Sequence, residues 1–355
     1  MAVTKSRSWV MSGVLIAAAS MGGALELRAQ EPAARLPPEQ FDVIAPSDRV
    51  RGAPGEMSVT QHQCRVGPTH WARRRIVDIA VQEWAVFGFQ TIDAANVEDR
   101  LLPPGLVSDT VNPALAAPRI ARRYPRLGIS ESSEDVAATI AGYWSATPDA
   151  VRILNGQNRA WNGPGGNAVN WLQPWSAAFI SWIMCEAGLG DANQFERDVS
   201  HRVYVDQAIR ARDGGAPQAA FVAYDAGEVR IEPGDLLCNA RGQAPYRNLA
   251  DRRQEQGRFA PTHCDVVVKV DFVGQRILVI GGNVEQSVSL TILPAVQEDG
   301  QHLRPVDEAM IDGARTVFAH LKLRADPVEA NALDNSPAIQ ALANAPPLGS
   351  AGNLP

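Results

Sequence analysis

The chain has 355 residues, 45% of them hydrophobic, and a formal charge of −6 from 33 basic and 39 acidic side chains. That apolar content is enough to build a packed core. The mild acidity excludes the basic surface of a nucleic-acid binder, but charge alone does not select a polymer substrate.

In chain order, Lys5 and Arg7 precede an apolar stretch from Trp9 to Leu25, and Leu27-Arg28-Ala29 sets a small residue before a cut between Ala29 and Gln30. A basic start, an apolar run and a small-residue site form a secretory signal. The competing reading is an uncleaved anchor. A spanning helix needs roughly 20 apolar residues, and this run is shorter and rich in Gly and Ser. Residues 1–29 are therefore expected to be a signal peptide. The mature protein is expected in the periplasm or secreted, with no stable membrane span after signal removal.

Residues 30–60 are rich in Pro, Ala, Glu and Gly without a period and read as a linker. A helix is predicted from Thr69 to Phe87, where Ile76, Ile79, Ala80, Trp84 and Phe87 share helical spacing after Arg73-Arg74-Arg75. Residues 88–130 hold many prolines and read as a long surface loop. A second helix is expected from Ser133 to Trp144, with Glu134 and Asp135 in its first turn. A short one follows near Thr147 to Gly156. Pro174 is suited to the first position of a third, largely apolar helix ending at Gly188. Arg202 to Arg212 reads as another helix.

After Pro233-Gly234-Asp235 the period changes to that of strands: 236–239, 263–270, 276–281, 288–292 and 316–323. The second and third are joined near Val273-Gly274-Gln275 as a hairpin. Helices followed by an antiparallel meander predict an α+β fold with a central helix packed on the sheet. The domain is expected to span 61–325, and the residues 326–355 to form a disordered tail.

The four cysteines allow three pairings in an exported chain. Cys238 and Cys264 fall in consecutive predicted strands and are the preferred pair, leaving Cys64 with Cys185. Buried free thiols are the competing reading.

Three polar residues stand in an order that can carry chemistry. Ser176 lies in the first turn of the central helix, where unpaired N–H groups and the helix dipole favour negative charge. His263 opens a strand and can act as a base. Asn283 follows the next strand and can orient the imidazole. Asp265 shares a strand face with His263 and is a candidate to orient it, to bind a cation or to contact substrate. His201 and Tyr204 share a helical face, and with Trp175 they are candidates to line a cleft and bind substrate. His-x-Asp is a weak metal signature and His-Glu-x-x-His is absent, so neither metal nor cofactor is expected.

This order resembles the papain-like cell-wall hydrolases of the CHAP and NlpC types. In those proteins a nucleophilic cysteine starts a helix, a proline-glycine-aspartate turn enters a sheet, and a histidine opens a strand. Pro233-Gly234-Asp235-Leu236-Leu237 matches the turn, and His263-Cys264-Asp265-Val266-Val267-Val268 resembles the histidine strand. More closely, Pro174 to Phe179, Pro233 to Leu236 and Gly281-Gly282-Asn283-Val284 resemble the bacterial family called domain of unknown function 2272, over about Arg73 to Leu323.

The resemblance implies a papain-like fold with an N-terminal helical extension. It also implies an exported amidase or endopeptidase acting on peptidoglycan peptides, with Ser176 as nucleophile, His263 as base and Asn283 as orienter. Serine stands where those hydrolases carry cysteine, and a hydroxyl, unlike a thiol, needs a general base. Cys185 and Cys264 face the wrong way to substitute, whereas Cys238 stays open as a substitute. The alternative expectation is an inactive module of the same fold that binds peptidoglycan or a peptide.

Overall fold

Among the described residues, the most apolar runs become the innermost elements. The structure, a computed structural model, describes residues 32–94, 98–101, 120–123, 128–241, 246–298, 302–307 and 316–344. The expected signal segment, 1–29, lies outside the described residues.

Among the described residues the chain opens with strands β1 (Val50–Arg51) and β2 (Ser58–Val59), then helix α1 (Ala72–Val86) and strands β3 (Thr91–Asp93), β4 (Glu98–Leu101) and β5 (Ile120–Arg123). Helices α2 (Ala137–Trp144), α3 (Ala150–Trp161), α4 (Ser176–Glu186) and α5 (His201–Arg212) follow. The remainder is β6 (Phe221–Tyr224), β7 (Leu236–Ala240), α6 (Leu249–Arg253), β8 (Thr262–Asp271), β9 (Arg276–Val284), β10 (Ser287–Val296), β11 (Arg304–Pro305), β12 (Val317–Leu323) and α7 (Pro337–Ala343).

The main sheet runs β11-β10-β9-β8-β7-β12-β6 with antiparallel neighbours. β3 adds in parallel to β10, so the sheet is mixed rather than purely antiparallel. The fold is thus α+β. Among the described residues no helix is long and apolar enough to cross a membrane.

α4 is apolar around its whole circumference, and every one of its residues is buried, as expected of a helix inside a core. It lies across β8 and β9 and beside α1 and α2. β8 is buried on both faces. Cys264, Val266 and Val268 join the main core under α4, while Val267 and Val270 join a smaller cluster with Leu237, Ile277 and Val279. The run that reads as one apolar block therefore serves two cores. Pro174 lies before α4 rather than in its first turn; Trp175 is the N-cap.

Two terminal expectations are corrected. Residues 32–60 are not a linker. Phe41, Val43, Val50 and Met57 are buried in the main core, and the fully buried Arg49 pairs with Glu186 of α4. Scattered single apolar residues with a buried ion pair hold this segment, and no period announces them.

The tail from 326 to 344 is likewise packed as a strap. Val270 N donates to Ala330 O (2.8 Å), Leu333 N to Val268 O (2.9 Å), and Ala332 and Leu333 are buried. Residues 345–355 lie outside the described residues. The stretch 88–130 contributes β3 to the main sheet and the ribbon β4–β5.

The disulfides are Cys64–Cys185 and Cys238–Cys264. Cys238 and Cys264 face each other directly in β7 and β8, with Cα atoms 4.1 Å apart.

Beside the strap, Asp78 of α1 is buried, and its Oδ1 has no partner. Burial, reinforced by Glu329 and opposed by Arg74 and Arg75, pushes its pKa up to about 7. The folded form thus holds this proton more tightly than the unfolded chain. Stability falls as pH rises from the ordinary carboxylate range through about 7, by on the order of 2–4 kcal/mol. Asp78→Asn should be more stable than the parent at pH 8, and the difference should vanish near pH 4. Urea denaturation at both pH values checks this; equal stabilities at pH 8 would refute it.

Candidate functional site

α4 begins without a side-chain cap. Its internal bonding starts with Phe179 N to Trp175 O (3.0 Å), so the N–H groups of the first turn have no helical partner. Ser176, the first helical residue, sits among these donors.

The partner of Ser176 is His201, the first residue of α5. His201 Nε2 lies 2.7 Å from Ser176 Oγ. One turn along α5, the Tyr204 hydroxyl contacts His201 Nδ1. All three side chains are buried, at 5%, 3% and 1% exposure.

Burial pushes His201 well below the ordinary histidine range, and the nearby His263 and Arg241 add to this. The ring is therefore neutral. Burial, with the carboxylates Asp265 and Asp198, pushes Tyr204 well above its usual range, so its hydroxyl keeps its proton. In the tautomer with the proton on Nδ1, that N–H donates to the Tyr204 oxygen. Nε2 then accepts the Ser176 proton, the arrangement a nucleophile and base require.

His263 is not that base. Arg241 Nη2 is 2.9 Å from His263 Nδ1. A guanidinium can only donate, so Nδ1 accepts and the ring proton is on Nε2. Nε2 donates to Asp265 Oδ1 at 2.7 Å. With both nitrogens engaged, the ring has no lone pair to offer Ser176. It stands edge-on to His201, with centroids 5.1 Å apart, and bears on the serine through that ring's electrostatics.

Nor does Asn283 orient His263. It is the penultimate residue of β9, with φ 56°, and its Nδ2 donates to Glu131 Oε2 at 2.7 Å. Trp175 Nε1 donates to the same oxygen, also at 2.7 Å. Trp175 is fully buried and stacked on Tyr143 (5.7 Å between centroids), so it is core rather than cleft wall.

Asp265 is 14% exposed at its side chain. It lines a pocket with Leu237, Asn239, Thr291 and Leu293 on the face of the sheet away from α4. The sheet and helix meet closely here. A Cβ on Gly282 would fall 2.5 Å from that of Phe179, and one on Gly281 would fall 1.8 Å from Asp265 Oδ1. Larger residues at either position would push the sheet off α4 or Asp265 off His263.

Arg241 and Glu131 were missed by sequence reasoning. Glu131 lies just past the proline-rich stretch 88–130 that has no period, and nothing local marks it. The i, i+3 spacing of His201 and Tyr204 was visible, but not the meeting with Ser176. Among the described residues no group of three or more His, Cys, Asp or Glu side chains is arranged to hold a metal ion.

The family model described as "Uncharacterized protein conserved in bacteria (DUF2272)" matches residues 133–323, more than half of the chain. That span contains Ser176, His201, His263, Asp265 and Asn283 and excludes Glu131 and the strap. No curated protein and no solved structure matches the chain.

Proposed function

The chain belongs to the DUF2272 family of bacterial proteins, and on that premise we propose an exported papain-like hydrolase acting on amide bonds of cell-wall peptides. Ser176 is its nucleophile and His201 its base. The observation that carries this reading is the 2.7 Å contact between Ser176 Oγ and His201 Nε2 at the start of a buried helix. The Pro233-Gly234-Asp235 turn entering the sheet, and the placement of α4 on β8 and β9, support the papain-like assignment. Two disulfides, with no free cysteine among the described residues, support an oxidising compartment.

In this reading Ser176 Oγ attacks the substrate carbonyl carbon and its proton passes to His201 Nε2. The first-turn N–H groups of α4 receive the oxyanion. On collapse the C–N bond breaks, and His201 returns the proton to the leaving amine. Water then attacks the acyl-serine ester by the same route. Tyr204 takes the orienting place that a carboxylate holds in other triads. A neutral phenol holds the ring in place but, able both to donate and to accept, does not by itself select the tautomer; it also stabilises the imidazolium less, and the neighbouring Arg241 opposes that charge further. The chemistry is therefore slow, and the base form of His201 persists below the ordinary histidine range.

The expected result is that a fluorophosphonate labels the purified protein and that Ser176→Ala abolishes both labelling and release of muropeptides from sacculi. His201→Ala should slow labelling by about 100-fold or more, the usual contribution of a general base. His263→Ala should do much less. Labelling that survives Ser176→Ala would overturn the assignment.

A second reading is a peptide-binding module, favoured by the burial of Ser176 and His201 and by the phenol standing where a carboxylate is expected. It predicts that the protein is pulled down by sacculi, that Ser176→Ala leaves this unchanged, and that no products form.

A further inference from the structure

We infer that Glu131 is the positioning residue of the Ser176 centre, holding the start of the nucleophile helix through Trp175 and Asn283. The inference rests on the reading of Ser176 as nucleophile, and it deepens that reading.

The helix start needs such a device. Trp175 is the N-cap of α4 and makes no side-chain cap hydrogen bond. Its indole is instead tethered, Nε1 to Glu131 Oε2, with Tyr143 stacked on the ring. The backbone of Trp175 leads directly into Ser176, so the angle at which Oγ meets His201 follows from where that indole is held. Asn283 brings β9 to the same carboxylate oxygen, and its neighbour Gly282 touches Phe179 on the next turn of α4. One oxygen thus registers the helix start against the sheet.

Glu131 is itself fixed. Its N–H donates to Gln286 O (2.7 Å), Ile129 N donates to Phe87 O (2.8 Å), and Ser287 Oγ donates to Ile129 O (2.8 Å). Glu131 as a whole is buried, at 8% exposure. Burial raises its pKa, while the bonds from Trp175 and Asn283 and the backbone of Trp171 act against that rise. A carboxylate kept in so apolar a place, against its own desolvation, needs its hydrogen bonds in return.

The experiment compares Glu131→Leu and Glu131→Gln with the parent. Hydrogen exchange is followed at the Trp175 indole and at the amides of residues 176–178, together with the rate of fluorophosphonate labelling. Glu131→Leu should speed exchange at those sites by at least ~10-fold, the weight of a charged hydrogen bond, while amides in β8 and β9 stay protected. Labelling should slow by a similar factor. Glu131→Gln should recover both, because its amide oxygen can still accept from Trp175 and Asn283.

Parent-like exchange at Trp175 in a folded Glu131→Leu protein would overturn the inference. So would a uniform loss of protection, which marks a merely structural role, or a Gln variant no better than Leu. If the parent is not labelled at all, the hydrolase reading fails, and the exchange pattern still decides whether Glu131 holds the helix start.

Discussion

Asp235→Ala is expected to destabilise the protein by about 3–5 kcal/mol, the range for breaking a buried ion pair from one side. The turn before β7 drives this carboxylate into a site with no exposure. It accepts from Arg73 Nη1 (2.7 Å), His320 Nε2 (2.9 Å), Lys322 Nζ (3.3 Å), and the backbone N–H groups of Glu232 (2.9 Å) and Leu323 (3.0 Å). Arg73, 1% exposed, would be left with the carbonyls of Pro233 and Leu323 and the more distant Glu232 carboxylate, at 3.7 Å, for its buried charge.

Burial alone would raise the Asp235 pKa. The His320 hydrogen bond and the charges of His320, Arg73 and Lys322 outweigh it and bring the value down to about 2. A depressed folded pKa means stability that is present above the unfolded value of 3.8 and is lost as pH falls from there to about 2. Denaturant titration at pH 7 should show the loss in Asp235→Ala, and the parent should lose stability over the acid window where Asp235→Asn does not. A change below about 1 kcal/mol at pH 7 would mean the cluster relaxes or hydrates, contrary to a buried-charge role.

The second large effect concerns the disulfides. Removing Cys64–Cys185 with paired serines should cost about 5 kcal/mol, against about 3.5 kcal/mol for Cys238–Cys264, if closure of the unfolded chain dominates. The difference comes from sequence separations of 121 and 26 residues. The longer bridge also ties the segment that carries Arg49 to the end of α4, where Arg49 Nε meets Glu186 Oε1 at 3.1 Å. Denaturant midpoints of the two double variants test the order. Equal or reversed losses would show that native packing, rather than loop closure, sets their weight.

The elements that sequence reasoning located are those with a period. α1, α2, α4, α5 and the five strands from β7 to β12 other than β11 fall close to their predicted places, because a repeating apolar face or, in α4 and β8, an unbroken apolar run marks each. The stretches read as linker and tail fail the same test for the same reason. Phe41, Val43, Val50, Met57, Ala332 and Leu333 are single anchors on irregular backbone, and burial of this kind leaves no repeat. Arg73 shows the converse: it reads as the polar prelude to an amphipathic helix, yet it is buried because Asp235, far along the chain, meets it.

The candidate site was half legible. Ser176 at a helix start follows from local chemistry, as does the sharing of a strand face by His263 and Asp265. That His201, rather than His263, faces the serine follows from the meeting of the first residues of α4 and α5. That His263 cannot act as base depends on Arg241 reaching its second nitrogen.

By itself the sequence determined the helix-then-strand order, the buried character of α4 and the short list of groups able to do chemistry. These depend on side-chain type and spacing along one segment. Only the tertiary structure decided which of those groups meet, which imidazole faces the serine and which carboxylate reaches the N-cap tryptophan. Hydrogen bonds act over about 3 Å between segments far apart in the chain, and no spacing within a segment encodes that distance.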